Sequence, residues 1–321
     1  MAIQVKLLDH SHDPTRSLYV AFRTAYSSLT PMQIVERIEG ERITREQMQE
    51  FIERRLETGH SSPLEQVWFE FGISGVSRAF SHQFVRHRIG ISFEQQSQRY
   101  VAFKKGEFPY TVPETVRRAG FAEDMERLLE DVGRLYEKML EHDVPAEDAR
   151  FVLPSAANTN FKVTINFQEL LHIADLRLCT RAQWEFRKVA SLMRAEIHGV
   201  FPELARYLQP KCGERRMGYC DESHDDWQRC PIGEKRPHKA ALFDGYRAFQ
   251  AYLAREERKR LRKPKAKMTQ QEALFAQEAV SLTDKQLLER KLALGQMYLM
   301  DIEPLRDEDF DVISQEQVRE R

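Results

Sequence analysis

No hydrophobic run in the 321 residues approaches the ~18 that a membrane helix needs. The amino-terminal stretch Met1-Ala2-Ile3-Gln4-Val5-Lys6 has no hydrophobic signal core, so the expected location is cytoplasmic. Cysteine is scarce. Four residues, at 179, 212, 220 and 230, are too few and too clustered for a disulfide framework. Cys212, Cys220 and Cys230 share a Gly- and charge-rich segment with His224 and His238, which would suit zinc. The spacings contain no C-x2-C pair, however, and the expectation is buried or incidental thiols with no metal. There is no excess of either charge. Lys and Arg number 49 against 50 Asp and Glu, a net charge of -1 with pI near 6.8, which argues against binding polyanions in bulk. A phosphate ligand must therefore be met by a local cluster. No G-x-G-x-x-G turn and no internal repeat are present.

What is present is concentrated between His60 and Tyr100. Val67, Phe69, Phe71 and Ile73 alternate with Trp68, Glu70, Gly72 and Ser74, the period-2 pattern of a half-buried strand. From Ser77 the period turns helical, with Ala79, Phe80, Gln83, Phe84 and Arg86 at three- and four-residue spacings. A helix that buries Phe80 and Phe84 carries Gln83, Arg86 and His87 to its C-terminal end. Arg88 and a Gly-containing loop follow, then Glu94-Gln95-Gln96-Ser97-Gln98-Arg99. Arginine offers a planar fork of donors suited to a phosphate or a uracil-like edge. Basic residues also favour helix C-termini, so a solvated helix end is the plain alternative. The run of uncharged hydrogen-bonding side chains favours an anion pocket.

The remainder reads first as scaffold. Ile3 to Leu8 reads as a strand and Thr15 to Tyr26 as a helix. Thr44-Arg45-Glu46-Gln47 is a capping box opening a helix that ends before Gly59. His60 reads either as a turn histidine bonded to backbone or as a ligand. Glu114 to His142 reads as one long amphipathic helix with the stripe Met125, Leu128, Leu129, Val132, Leu135, Tyr136 and Leu140. Val144-Pro145 starts another, with Pro at its first position and Arg150 within it. Lys162 to Phe167 reads as a strand entering a helix over Gln168 to Arg177. Asn166, Gln168, His172 and Arg177 there would form a wall for a second ligand, with a buried His satisfied by backbone as the alternative. Leu242 to Lys263 reads as a helix closing in the basic run from Arg255 to Lys263. Its interleaved Glu residues and the acidic end from Asp301 to Asp311 suit a solvated appendage.

Two separated blocks resemble the flavin-dependent thymidylate synthases. That signature is Arg-His-Arg, a short spacer, then Ser-x-Arg, matched here by Arg86-His87-Arg88 and Ser97-Gln98-Arg99. The spacer from Ile89 to Gln96 is one residue longer than is usual in the family, and Gln95 stands where many members carry Glu. His60 to Gln66, Ser77-Arg78 and His82-Gln83 are similar to the same family, as is Arg177 with its following Ala182-Gln183-Trp184-Glu185. Arg150 ahead of Val152-Leu153-Pro154 matches a family substrate-binding Arg. Gln168 and His172 stand where some members have Arg and Asn. The resemblance covers roughly residues 15 to 235.

The resemblance implies an α+β fold with a central, largely antiparallel twisted sheet flanked by helices. It implies a domain over 1–238, leaving 239–321 as a helical, charged C-terminal extension of unknown role. It implies reductive methylation of dUMP to dTMP, with methylenetetrahydrofolate as carbon donor and NADPH as reductant through FAD, in a homotetramer with interfacial sites. Arg177 is then the catalytic residue. Gln83, Arg86, Gln95, Gln96, Ser97, Gln98, Arg99, Arg150 and Arg177 bind substrate. Ser62, Arg86, His87, Arg88, Gln95, Asn166, Gln168 and His172 bind the flavin. The residues add one compatible fact: no cysteine lies in the anion-binding parts, so no thiolate is supplied there to attack the pyrimidine. A nucleic-acid-binding protein using Arg86 to Arg99 and the basic tail is the alternative of a different class. Near-neutral charge and a tail without interleaved aromatics count against it.

Overall fold

The computed structural model describes residues 2–103, 107–243, 247, 250–251, 254–255 and 304–314. The fold class is the expected α+β. Strands β1 (Gln4–His10), β2 (Trp68–Ser77), β3 (Ile91–Gln95) and β4 (Asn158–Asn166) form a wholly antiparallel sheet in the order β1-β2-β4-β3. Helices α1 (Pro14–Tyr26), α2 (Pro31–Glu39) and α3 (Arg45–Glu57) lie between β1 and β2, and α4 (Arg78–Phe84) follows β2. Then come α5 (Glu114–Arg118), α6 (Ala122–Glu141) and α7 (Ala146–Ala149), and after β4 α8 (Phe167–Arg177), α9 (Trp184–Val200), α10 (Pro202–Ala205), α11 (His224–Gln228) and α12 (Asp307–Ser314). No helix among the described residues is long and apolar enough to cross a membrane.

The alternation in β2 does what its period requires: Val67, Phe69, Phe71 and Ile73 are wholly buried. At its end Gly75 takes φ +73, the β2–β4 register shifts between Ile73 and Val76, and Ser77 caps α4 by accepting from the Phe80 amide. Phe80 and Phe84 then meet Phe186 of α9 at 5.0 and 5.3 Å between ring centroids, and Phe84 meets Phe93 of β3 and Phe161 of β4 at 4.9 and 5.6 Å. Such pairs add ~0.5–1.5 kcal/mol each beyond area burial. This aromatic knot ties α4, β3, β4 and α9 together, the elements that flank both sequence blocks.

Several expectations are corrected. The stretch from Glu114 to His142 is two helices, because Gly120 adopts φ +81, left-handed backbone that no α-helix accommodates. Of its apolar stripe, Leu129 and Tyr136 are buried, whereas Leu128 and Leu135 stand open at 62% and 48% exposure. Pro145 is the N-cap of α7 and not its first residue. The segment after Arg88 is not all loop: Ile91 to Gln95 pairs with Ile165 to Phe161 as an edge strand. The helix before it stops at Phe84, so Arg86 and His87 lie one turn beyond it, their amides donating to Gln83 and Phe84 carbonyls.

The chain divides into two compact units, residues Met1–Pro210 with Phe310–Arg321, and Lys211–Asp309. In the second, all three cysteines are free of disulfides, Cys212 and Cys220 are buried, and burial pushes the Cys220 thiol up. Both nitrogens of His238 are engaged there, Nε2 with the Glu222 carbonyl at 2.9 Å and Nδ1 with the Ala240 amide at 3.3 Å, which leaves that ring no lone pair for a metal. The basic run expected from Arg255 to Lys263 lies outside the described residues except for Arg255.

Candidate active site

The two blocks meet where β3 and α8 begin. Gly90 turns with φ +71 and its carbonyl accepts from the Asn166 amide at 2.7 Å. A Cβ there would come within 2.3 Å of the Asn166 side chain, so only glycine fits between the Arg-His-Arg segment and the end of β4. Asn166 also opens α8, its Oδ1 accepting from the Glu169 amide at 2.9 Å. The helix then carries Gln168, Glu169, His172 and Arg177.

Arg177 and His87, from the two blocks, touch. Nε and Nη2 of Arg177 each lie 3.3 Å from His87 Nε2, and the guanidinium carbon stands 4.5 Å over the Phe186 ring. Its Nη1 makes no hydrogen bond among the described residues. His87 Nδ1 lies 2.7 Å from Glu169 Oε1, and the His172 ring is 5.7 Å away. Burial, then the Arg177 charge and then His172, push His87 down to about 4. Burial pushes the Glu169 carboxyl up to about 7 and lowers Arg177. Ligand atoms of His87, Glu169 and His172 fall within 4.8 Å of one another. With both His87 nitrogens engaged and a guanidinium on one, the set is a hydrogen-bonded chain that would repel a cation.

The remaining predicted residues divide between the two ends of β3. Near its start, Arg86 and Arg88 are exposed and their guanidinium groups make no hydrogen bond or ion pair among the described residues. Gln168 turns a buried Oε1 toward no partner. At and beyond its other end, Gln95 donates to Thr159 Oγ1 at 3.2 Å, Gln96 accepts from Asn160 Nδ2 at 2.7 Å, and Ser97 Oγ accepts from the Arg99 amide at 3.2 Å. Gln98 Nε2 is buried without a partner. Arg99 Nε pairs with Glu147 Oε2 at 2.5 Å, and Arg150 Nε donates to the Glu147 carbonyl at 3.1 Å. Arg78 joins this corner: burial and the Arg150 charge lower it. Four residue steps along β3, ~13 Å at the rise of a strand, separate Ile91 from Gln95. The Ser62 hydroxyl lies 3.1 Å from His60 Nε2, while His60 Nδ1 meets the Tyr26 hydroxyl at 2.9 Å. His60 is thus held by side chains and not, as one expectation had it, by backbone.

Of two buried carboxylates here, Glu169 was not singled out from the sequence, and Glu185 entered only as the end of the Ala182-Gln183-Trp184-Glu185 match, with no role. Glu185, 1% exposed, receives the Ser77 amide and hydroxyl on its two oxygens at 2.6 and 2.5 Å, and Glu169 receives His87. Neither has a local signal, since an acidic residue in the first turn of a helix is ordinary.

The family model described as thymidylate synthase complementing protein matches residues 6–203. The chain belongs to the flavin-dependent thymidylate synthase family. A flavin-dependent thymidylate synthase of Nitratidesulfovibrio vulgaris is 44% identical over 228 residues, covering 68% of this chain and 91% of the relative. One of Geobacter sulfurreducens is 41% identical over 215 residues, covering 65% and 88%. Among solved structures, a UMP/dUMP methylase, PolB of Streptomyces cacaoi with 5-Br dUMP bound, shares the fold with a TM-score of 0.53 at 20% identity, over 64% of this chain and 94% of that one. Membership makes the chain an enzyme of the methyltransferase class.

Proposed function

We propose that this flavin-dependent thymidylate synthase methylates dUMP to dTMP, drawing its one-carbon unit from methylenetetrahydrofolate and its electrons from NADPH through FAD. The observation that carries the reading is Arg177, a half-buried guanidinium held over Phe186 by His87 with Nη1 left for a ligand. Arg177 cannot act as a base at neutral pH. At the uracil edge it stabilises negative charge developing on the ring, so no thiolate is required.

Arg99 and Arg150, with Glu147 holding them, suit a nucleotide phosphate, and Gln83, Arg86, Gln95, Gln96, Ser97 and Gln98 orient the rest of the nucleotide. The residues fit a flavin: the buried Gln168 Oε1 lacks a partner, and Arg86 and Arg88 are unpaired cations for a pyrophosphate that no glycine-rich turn would meet. Ser62, His87, Gln95, Asn166 and His172 complete that wall. FAD, when bound, supplies the hydride. The reading includes a homotetramer whose sites combine residues of different copies, the two groups of one copy standing at opposite ends of β3. The domain is taken as residues 1–238, with the location cytoplasmic.

The test is the visible spectrum of the purified protein, followed by anaerobic addition of NADPH and dUMP. A flavin band that bleaches is the expected outcome. A colourless protein that FAD cannot reconstitute overturns the reading.

A further inference from the structure

The imidazole of His87 stands between two side chains of α8. Nε2 faces the Arg177 Nε and Nη2 groups at 3.3 Å each, and Nδ1 faces Glu169 Oε1 at 2.7 Å. A guanidinium only donates, so Nε2 must be the unprotonated, accepting nitrogen. The ring proton therefore sits on Nδ1, where only Glu169 receives it. We propose that Glu169 is the positioning residue of Arg177: by accepting the Nδ1 proton of His87 it fixes the tautomer whose Nε2 lone pair holds the guanidinium. This rests on the reading that Arg177 acts on the pyrimidine, and it adds a residue to which the resemblance assigns nothing.

The surroundings support the assignment. His87 and Glu169 are buried at 5% and 6% exposure, so no water can replace either partner at low cost. His87 is faced by Glu169, His172 and Arg177, all of α8, and by the uncharged Phe186 ring of α9. With His87 pushed down to about 4 the ring stays neutral at working pH, as an acceptor for Arg177 must. Glu169, pushed up to about 7, is the member of the chain that titrates near neutrality. As pH falls through that value the carboxyl gains a proton and can itself donate to Nδ1. The ring then carries its proton on Nε2, against the donor fork, and Arg177 loses its anchor.

The experiment is nitrogen-15 NMR of flavin-free protein labelled at histidine and arginine side chains, with His87 identified through His87→Gln, alongside steady-state dTMP formation. Wild type should show a neutral His87 protonated on Nδ1 at pH 8. In Glu169→Ala the two tautomers should mix, the Arg177 Nε–H resonance should move, and kcat should fall roughly ten- to a hundredfold with little change in the KM for dUMP, as when a second partner that orients a ligating histidine is lost. Glu169→Gln keeps an acceptor oxygen of the same shape. Like the protonated carboxyl it also brings a donor, so at pH 8 it should already show the mixed tautomers and lowered kcat that wild type reaches only below about 7, and it should lack that acid decline. An unchanged His87 tautomer and Arg177 resonance in Glu169→Ala overturns the proposal, as does a Glu169→Gln enzyme with the wild-type acid decline. Because the tautomer is read without flavin or substrate, a wild-type protein that makes no dTMP refutes the functional reading and leaves the Glu169 test standing.

Discussion

Arg177→Ala should retain flavin and lose dTMP formation by at least two to three orders of magnitude, on the order of what one preorganised donor to a developing oxyanion contributes. The loss should fall on kcat. On the proposed reading the nucleotide phosphate is held by Arg99 and Arg150 and not by Arg177, so the KM for dUMP should change little. Arg177→Lys should recover little. A single ammonium cannot present Nε and Nη2 to His87 while offering Nη1 to the ring. Rapid-quench measurement of dTMP, with flavin content read from absorbance, checks both variants. Full turnover in Arg177→Ala would remove the residue from the chemistry.

Glu185→Ala should cost about 3 kcal/mol of stability, the range expected when a buried hydrogen-bonded charge is removed and its partners remain. The carboxylate holds the Ser77 amide and hydroxyl 108 positions away in the chain, at the start of α4. Without it the amide and the hydroxyl proton are left dry and without an acceptor, since Ser77 is 3% exposed. The loss would also loosen the aromatic knot, because Phe186 adjoins Glu185 and carries both Phe80 and the Arg177 guanidinium. Glu185→Gln can satisfy only one of the two donors with its carbonyl oxygen, so it should fall between wild type and Ala. Urea denaturation with an unchanged slope would report this as a stability loss; a midpoint within error of wild type would refute it.

Much of the scaffold was legible because its physics is local. The β2 alternation sorts Phe69 and Phe71 inward, and the Thr44 and Gln47 capping box forms as its residues dictate, Gln47 Oε1 accepting from the Thr44 amide at 3.0 Å. What was missed is not local. β3 has only five residues, Ser92 and Glu94 among them exposed, and nothing within Ile91 to Gln95 announces its partner in β4. α9 hides Glu185, Arg187 and Arg194 along with its apolar residues, which blurs the contrast that periodicity needs. The break at Gly120 depends on a backbone sign that a lone glycine does not declare. In the candidate site, Arg86, His87, Arg99, Arg150 and Arg177 were named from their residue types and motif. Glu169 was not, and Glu185 entered only as the last residue of a motif, because the partners that give them roles lie 82 and 108 positions away.

The length of β3 also bears on inheritance. Arg177 and Arg99 belong to groups at opposite ends of that strand, and on the proposed reading one working site takes them from different copies. Two alleles, one lacking Arg177 and the other lacking Arg99, would each be silent alone. Expressed in one cell they would co-assemble, and a fraction of the mixed particles would pair the intact half of each. Defects at the two ends of β3 would therefore complement, whereas two defects at the same end would not.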